Sequence, residues 1–263
     1  MPIDFGRTAK DYAKHRAGFP PALFDRLQTF RVGLPGHRVL DLGTGTGTVA
    51  RNFALKGCRV TGLDPSTALM EQAAQLDAEA GVTVDYREGR AEATGLPDAS
   101  FDVVAAGQCW HWFKRDAAAR EAMRLLVAGG ALVIAHFDWL PLGDNVAAAT
   151  ETLIREFNPD WKFYGGTGVY PRWPADASLA GFTGIETFSF DVDVPYSHQD
   201  WRGRIRASAG VAASLPAERV AQFDAALTEM LRQRFPEDPV ITPHRVWALV
   251  ARKPGHGIGP ALG

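Results

Sequence analysis

Asp41, Asp64 and His111 are the residues whose types and spacing suggest chemistry. Asp41 ends an apolar run (Val39, Leu40) two positions before Gly43 and opens Asp41-Leu42-Gly43-Thr44-Gly45-Thr46-Gly47. A glycine turn between a strand and a helix lets a ligand approach backbone amides at the helix N-terminus. A carboxylate at that turn would repel a pyrophosphate but favour a cationic or ammonium-bearing ligand, so Asp41 argues against a dinucleotide. Asp64 lies 23 residues further on, the separation expected across one β-α-β unit. His111 sits in Gln108-Cys109-Trp110-His111-Trp112-Phe113, where a histidine can contact a substrate or remove its proton, or simply cap the next helix.

Together these residues resemble the class I S-adenosylmethionine-dependent methyltransferases. Asp41 to Gly47 is similar to the family's acidic-x-Gly-x-Gly-x-Gly motif, and Gly62-Leu63-Asp64-Pro65-Ser66 to its second motif. The resemblance implies S-adenosyl-L-methionine as cofactor, held by Asp41, Gly43, Thr44, Gly45, Asp64 and Pro65. It further implies that Arg90, Ala91 and Glu92 read the adenine and that Gln108, beyond strand 4, also binds the cofactor. The N-terminal segment resembles a lid in which Tyr12 covers the sulfonium and Arg16 takes a carboxylate; a loosely attached arm is the plainer reading. The segment after strand 4 is not the Asn/Asp-Pro-Pro-Tyr/Phe of enzymes that methylate DNA or glutamine. Its His-Trp-Phe resembles small-molecule methyltransferases related to the trans-aconitate group, with His111 the catalytic candidate. A carboxylate or hydroxyl oxygen is the expected acceptor, with carbon or nitrogen open. A nicotinamide-dependent oxidoreductase and a non-catalytic cofactor-binding module are the rival readings.

Other candidates carry plainer alternatives. Met70 faces the core or the adenine. His136, His198 and His244 form a metal site only if the fold gathers them, and the expectation is no metal. Arg202, Arg204 and Arg206 alternate along a helix and so do not share one face; most are expected in solvent, while one can anchor an anionic substrate. Cys58 and Cys109 are expected as buried free thiols in a reducing cytoplasm.

The elements that must position these groups follow from periodicity and punctuation. Strands are expected near 39–42, 59–63, 82–87, 101–106, 131–137, 186–192 and 246–252. Helices are expected at 22–30, 48–56, 65–80, 114–127, 144–157, 176–180, 198–213 and 216–234. Strict alternation to strand 5 predicts an α/β Rossmann-like fold, a seven-stranded mostly parallel sheet with helices on both faces, plus a small helical cap. The expected organisation is a lid and first helix in 1–35, a core in 36–194 and 240–253, a cap in 195–239 and a tail in 254–263. At 263 residues, 46% hydrophobic, the chain can bury a full core. A net charge of −2 provides no basic field for nucleic acid or an anionic membrane, and no apolar run is long enough to span a bilayer. The expected partner is a small-molecule substrate, the expected location the cytoplasm, and the expected state a monomer or homodimer.

Overall fold

The structure, a computed structural model, describes residues 18–255. The expected lid residues Tyr12 and Arg16 lie outside the described residues. Helix α1 (Pro21–Thr29) precedes a run of β1 (Arg38–Leu42), α2 (Thr48–Leu55), β2 (Arg59–Asp64), α3 (Thr67–Ala80), β3 (Asp85–Glu88), β4 (Phe101–Gly107) and α4 (Arg115–Leu125). After these come β5 (Leu126–Trp139), α5 (Val146–Phe157), α6 (Trp173–Leu179), β6 (Thr183–Tyr196), α7 (His198–Arg206), α8 (Ala217–Arg234) and β7 (Val240–Arg252).

The seven strands form one sheet in the order β3-β2-β1-β4-β5-β7-β6, with β1–β2, β2–β3, β1–β4 and β4–β5 parallel. From β1 the chain first works outward through β2 and β3, then returns to lay β4 on the other side of β1. Right-handed crossovers therefore place α2 and α4 on opposite faces of the sheet. Between β1 and β4 the direction of travel reverses, and in open α/β sheets ligands bind beyond the strand ends at that point.

Several boundaries differ from expectation for local reasons. Leu126 was expected in the last turn of a helix; instead it is extended (φ −72°, ψ 143°) and pairs with Phe101, so β5 begins five residues early. An apolar residue suits either state, and only the sheet decides. The helix expected over 198–213 stops at Arg206, and a Cβ at Gly210 would sit 2.8 Å from Ile154 Cγ2, showing how closely that turn packs. Strand β3 is shorter than expected, whereas β6 and β7 are longer. Helix α6 starts at Trp173, with Pro174 in its first turn, where a missing N–H costs nothing.

The described residues fall into two compact units. One comprises Gly18–His136, Tyr170–Ser189 and the chain from Trp247; the other comprises Phe137–Val169 and Phe190–Val246. This division differs from the expected one. Helix α1 joins the first unit, where Phe24 meets Phe53 edge-on at 5.1 Å. The second unit is larger than a 195–239 insertion, because the buried face of α5 (Val146, Ala147, Ile154) packs with Trp201, Ile205, Phe223 and Leu227 of α7 and α8. Periodicity gives a helix its apolar face but does not name the partner. The first unit's core runs from Leu40 and Leu42 through Val104, Leu132 and Ile134 to Trp247 and Leu249.

Candidate active site

The glycine turn after β1 is fastened to the end of β2. Gly43 and Thr44 donate their backbone N–H groups to Leu63 O at 2.8 and 3.1 Å, and Gly45 N donates to Asp64 Oδ2 at 2.9 Å. These amides are therefore engaged by the protein rather than presented to a ligand, which corrects the expectation of an open amide cradle. Gly43, Gly45 and Gly47 all have positive φ (64°, 54° and 75°), a region L side chains rarely adopt. At Gly47 an added Cβ would lie 2.3 Å from Tyr86 Oη, whereas at Gly45 it would meet nothing within 4 Å. Gly45 thus borders open space at the strand ends.

Asp41 is buried, 1% exposed. Its Oδ2 accepts from Thr44 Oγ1 at 2.7 Å and from Ala50 N, in the first turn of α2, at 3.2 Å. Its Oδ1 has no hydrogen-bond partner in the structure. Burial pushes its pKa up to about 7, the two hydrogen bonds oppose the shift, and Asp64 adds to it. Asp41 thus fastens the turn through one oxygen and leaves the other unbonded, and its burial favours the neutral carboxyl. Asp64 is buried at the tip of β2, accepting from Gly45 N and, at 2.8 Å, from Ser66 N. Burial raises its pKa too, while those two N–H groups oppose the rise. Pro65 beside it is exposed, and Met70 is buried in α3.

On the other side of the reversal point, Gln108 leaves β4 with φ 64° and donates its N–H to Ala135 O at 2.9 Å. That conformation is uncommon for a residue with a side chain and turns the chain sharply at the strand end. Cys109 Sγ then donates to Leu42 O at 3.1 Å, tying this segment to β1, and a single 3₁₀ turn carries Trp110 to Trp112. Trp110 is fully buried and donates Nε1–H to Asp176 Oδ2 of α6 at 3.0 Å. His111 is exposed on the turn, its ring 4.5 Å from that of Trp112 and 5.3 Å from that of His136. Among the adenine candidates, Ala91 is in the core, Arg90 is exposed, and Glu92 Oε1 accepts from Lys114 N at 2.9 Å, just ahead of α4. Glu92 therefore steadies a helix start as well as standing beside the β3 end.

His136, one of the three histidines considered for a metal, is 1% exposed at the end of the first unit's part of β5 and lies 4.5 Å from the Tyr170 ring and 4.7 Å from that of Trp173, which stack at 3.9 Å. Tyr86 fills the space that Gly47 and Gly62 leave and donates to Asp77 Oδ2 at 2.8 Å, while Arg51 Nε pairs with Asp77 Oδ1 at 2.7 Å. Burial holds the Tyr86 phenol well above its ordinary range.

Among the described residues no group of three or more His, Cys, Asp or Glu could hold a metal. His198 Nε2 instead faces the carbonyls of Phe235 (2.9 Å) and Glu237 (3.0 Å), and His244 Nδ1 faces Thr242 O (2.9 Å). Neither cysteine is in a disulfide and both are buried, and burial pushes the Cys58 thiol up to about 11. No helix among the described residues is long and apolar enough to cross a membrane.

Residues 40–134 match the model of a family described as a methyltransferase domain. An uncharacterized methyltransferase of Mycobacterium tuberculosis is 34% identical over 132 residues, 50% of this chain and 51% of that protein. The chain thus spans about half the length of the first curated relatives it matches. A ubiquinone biosynthesis O-methyltransferase of Pseudomonas savastanoi is 31% identical over 156 residues, 57% of this chain and 67% of that protein. Among solved structures, one described as a type II methyltransferase from Anaeromyxobacter dehalogenans superposes with a TM-score of 0.66 at 25% identity, covering 92% of this chain and 99% of that one.

Proposed function

Because the chain belongs to the class I S-adenosylmethionine-dependent methyltransferases, we propose that it transfers a methyl group from S-adenosylmethionine to an oxygen of a small-molecule acceptor, a carboxylate or a hydroxyl. The observation that carries this reading is the pairing of Asp64, a carboxylate ending β2, with a glycine turn whose first amides are already bonded to β2. A diphosphate needs those amides. A nucleoside without phosphates needs a hydroxyl acceptor and room beside Gly45, and this chain offers both.

The cofactor supplies an electrophilic methyl on a sulfonium; in the reaction the acceptor oxygen bonds to that carbon while the sulfur keeps the electrons of the broken bond. Asp64 accepts the ribose hydroxyls. Asp41 holds the turn in shape, and its unbonded Oδ1 adds negative charge on the side of the ligand's ammonium group. Arg90, Ala91 and Glu92 stand at the adenine, and Gln108 binds the cofactor at the end of β4. Such a displacement depends on alignment and exclusion of water more than on strong acids or bases. A carboxylate acceptor needs no base, whereas a hydroxyl must lose its proton. His111, the exposed imidazole nearest the β4 end, contacts the acceptor and takes that proton. Transfer to carbon or nitrogen of a small metabolite is the alternative within the same site.

Calorimetric titration tests the reading. S-adenosylhomocysteine should bind saturably, and NAD and NADP should not; dinucleotide binding without the homocysteine nucleoside would refute it. Replacing His111 by alanine should lower label transfer from S-adenosylmethionine to a small-metabolite extract by about a hundredfold for a hydroxyl acceptor. Its affinity for S-adenosylhomocysteine should stay within about twofold, since the side chain is not placed at the nucleoside. Wild-type transfer by this variant would remove His111 from the mechanism.

A further inference from the structure

Gly47, which closes the glycine turn, and Gly62, which leads into the tip of β2, both face one side chain. Tyr86 of β3 stands opposite Gly62 in the parallel pairing of β2 with β3. A Cβ built on Gly62 would lie 2.6 Å from Tyr86 Cε1, and one built on Gly47 would lie 2.3 Å from its Oη. The ring therefore crosses β2 at Gly62, and its hydroxyl ends against the turn. Glycine at both positions is what permits so close an approach. The Cβ that Gly62 lacks would also sit 2.9 Å from Thr44 Oγ1, the hydroxyl that donates to Asp41.

The Tyr86 hydroxyl is held at that point by α2 and α3. It donates to Asp77 Oδ2 at 2.8 Å, and Arg51 Nε pairs with Asp77 Oδ1 at 2.7 Å. Asp77 is 2% exposed. Arg51 Nη2 donates in turn to Thr46 O at 2.9 Å and to Ala73 O of α3 at 3.1 Å. The glycine turn is thus fixed from beneath at Thr46 and Gly47, and from the side where Gly45 N donates to Asp64. A buried ion pair contributes little net stability, because apolar residues of similar volume often do as well. Its use beneath this turn points instead to the specification of one geometry.

We propose that Tyr86 is a positioning residue: with Arg51 and Asp77 it fixes the separation between the glycine turn and the tip of β2. It thereby sets the open space beside Gly45 at hydrogen-bonding distance from Asp64. The proposal rests on the reading that a nucleoside binds between Gly45 and Asp64. Tyr86 acts through the turn, since its own hydroxyl is already bonded to Asp77. Hydrogen bonds weaken steeply away from their preferred geometry, so a turn displaced against β2 loses ligand affinity while the fold persists.

Calorimetric titration of S-adenosylhomocysteine into the full chain tests this, with Tyr86→Leu made both in wild type and in Asp64→Ala. In wild type, Tyr86→Leu should weaken binding about tenfold at a temperature well below its unfolding transition. In Asp64→Ala the same change should weaken binding by less than about threefold, because the contact that Tyr86 positions is already gone. A ring that only fills the core predicts equal factors in the two backgrounds. Tyr86→Phe keeps the ring over Gly62 and should bind within about threefold of wild type. Should Tyr86→Leu fail to fold, Arg51→Lys carries the test. It keeps a charge beside Asp77 but lacks the fork that reaches Thr46 O and Ala73 O, and it should show a loss that shrinks in Asp64→Ala. Absence of binding in wild type overturns the nucleoside reading and this assignment together. Where wild type binds, three outcomes overturn the role of Tyr86 alone: wild-type affinity in Tyr86→Leu or its substitute Arg51→Lys, an equal loss in both backgrounds, or a Tyr86→Phe as weak as Tyr86→Leu.

Discussion

Asp64→Ala is expected to weaken binding of S-adenosylhomocysteine by about a hundredfold, the scale for removing a carboxylate that accepts two ligand hydroxyls. In the protein alone this carboxylate already accepts from Gly45 N and Ser66 N, so alanine also loosens the tie between the glycine turn and β2. Asp64→Asn separates the two effects. Its remaining carbonyl can still accept from one backbone N–H, yet its amide cannot replace the second acceptor, so most of the affinity loss should persist while the turn is better kept. The fold itself should survive both changes. Burial raises the Asp64 pKa, which means the folded state gains from losing that charge part of what it forfeits in hydrogen bonds. Calorimetry for affinity and thermal unfolding for stability decide the matter. Unchanged affinity in both variants would remove Asp64 from the ligand site, and collapse of the fold in Asp64→Asn would make it a structural residue.

The sheet was legible in the sequence because its inner strands are short apolar runs punctuated by glycine and proline. Residues 39–42 and 101–106 are short apolar runs in an alternating strand–helix order, which reads as inner strands of a parallel sheet, and Asp64 at a strand tip follows from its offset to Asp41. Three features were not legible. The electrostatic state of Asp41 depends on its burial beneath Thr44 and Ala50, and no spacing rule reports burial depth. The Tyr86–Asp77–Arg51 support under the turn joins residues from α2, α3 and β3, and sequence separation says nothing about such convergence. The membership of α5 in the second unit was hidden for a related reason, since its amphipathic pattern fits a sheet face as well as a helix pair. Alternation did show that Arg204 faces away from Arg202 and Arg206, but the choice of Asp224 for those two required the coordinates. Topology fixes which residues stand at strand ends, and spacing can report that; side chains meeting across elements cannot be read that way.

Asp41→Asn should alter the pH dependence of both stability and ligand affinity, and the sign of each follows from one shift. Burial carries the Asp41 pKa from 3.8 to about 7 in the folded protein. Between those values the folded state holds a proton that the unfolded state has released, so stability falls as pH rises from about 4 to about 7. With a full shift of that size the loss reaches roughly 3–4 kcal/mol. Asparagine has no such proton to lose while still accepting from Thr44 and Ala50. Urea unfolding at pH 5 and pH 8 should therefore show wild type losing ground to Asp41→Asn at the higher pH, by roughly 2–4 kcal/mol relative to their difference at the lower. Ligand binding couples to the same proton in the opposite sense. An ammonium group near Oδ1 favours the ionised carboxylate, so binding of S-adenosylhomocysteine should release a proton below pH 7, and its affinity should rise with pH up to about 7. Calorimetry in buffers of different ionisation enthalpy reads that proton directly. Asp41→Asn should bind with a flatter pH profile and without the release. Parallel stability profiles would show that Asp41 keeps its charge in the fold, and a proton release that survives in Asp41→Asn would assign the titration to Asp64, whose pKa is displaced in the same direction.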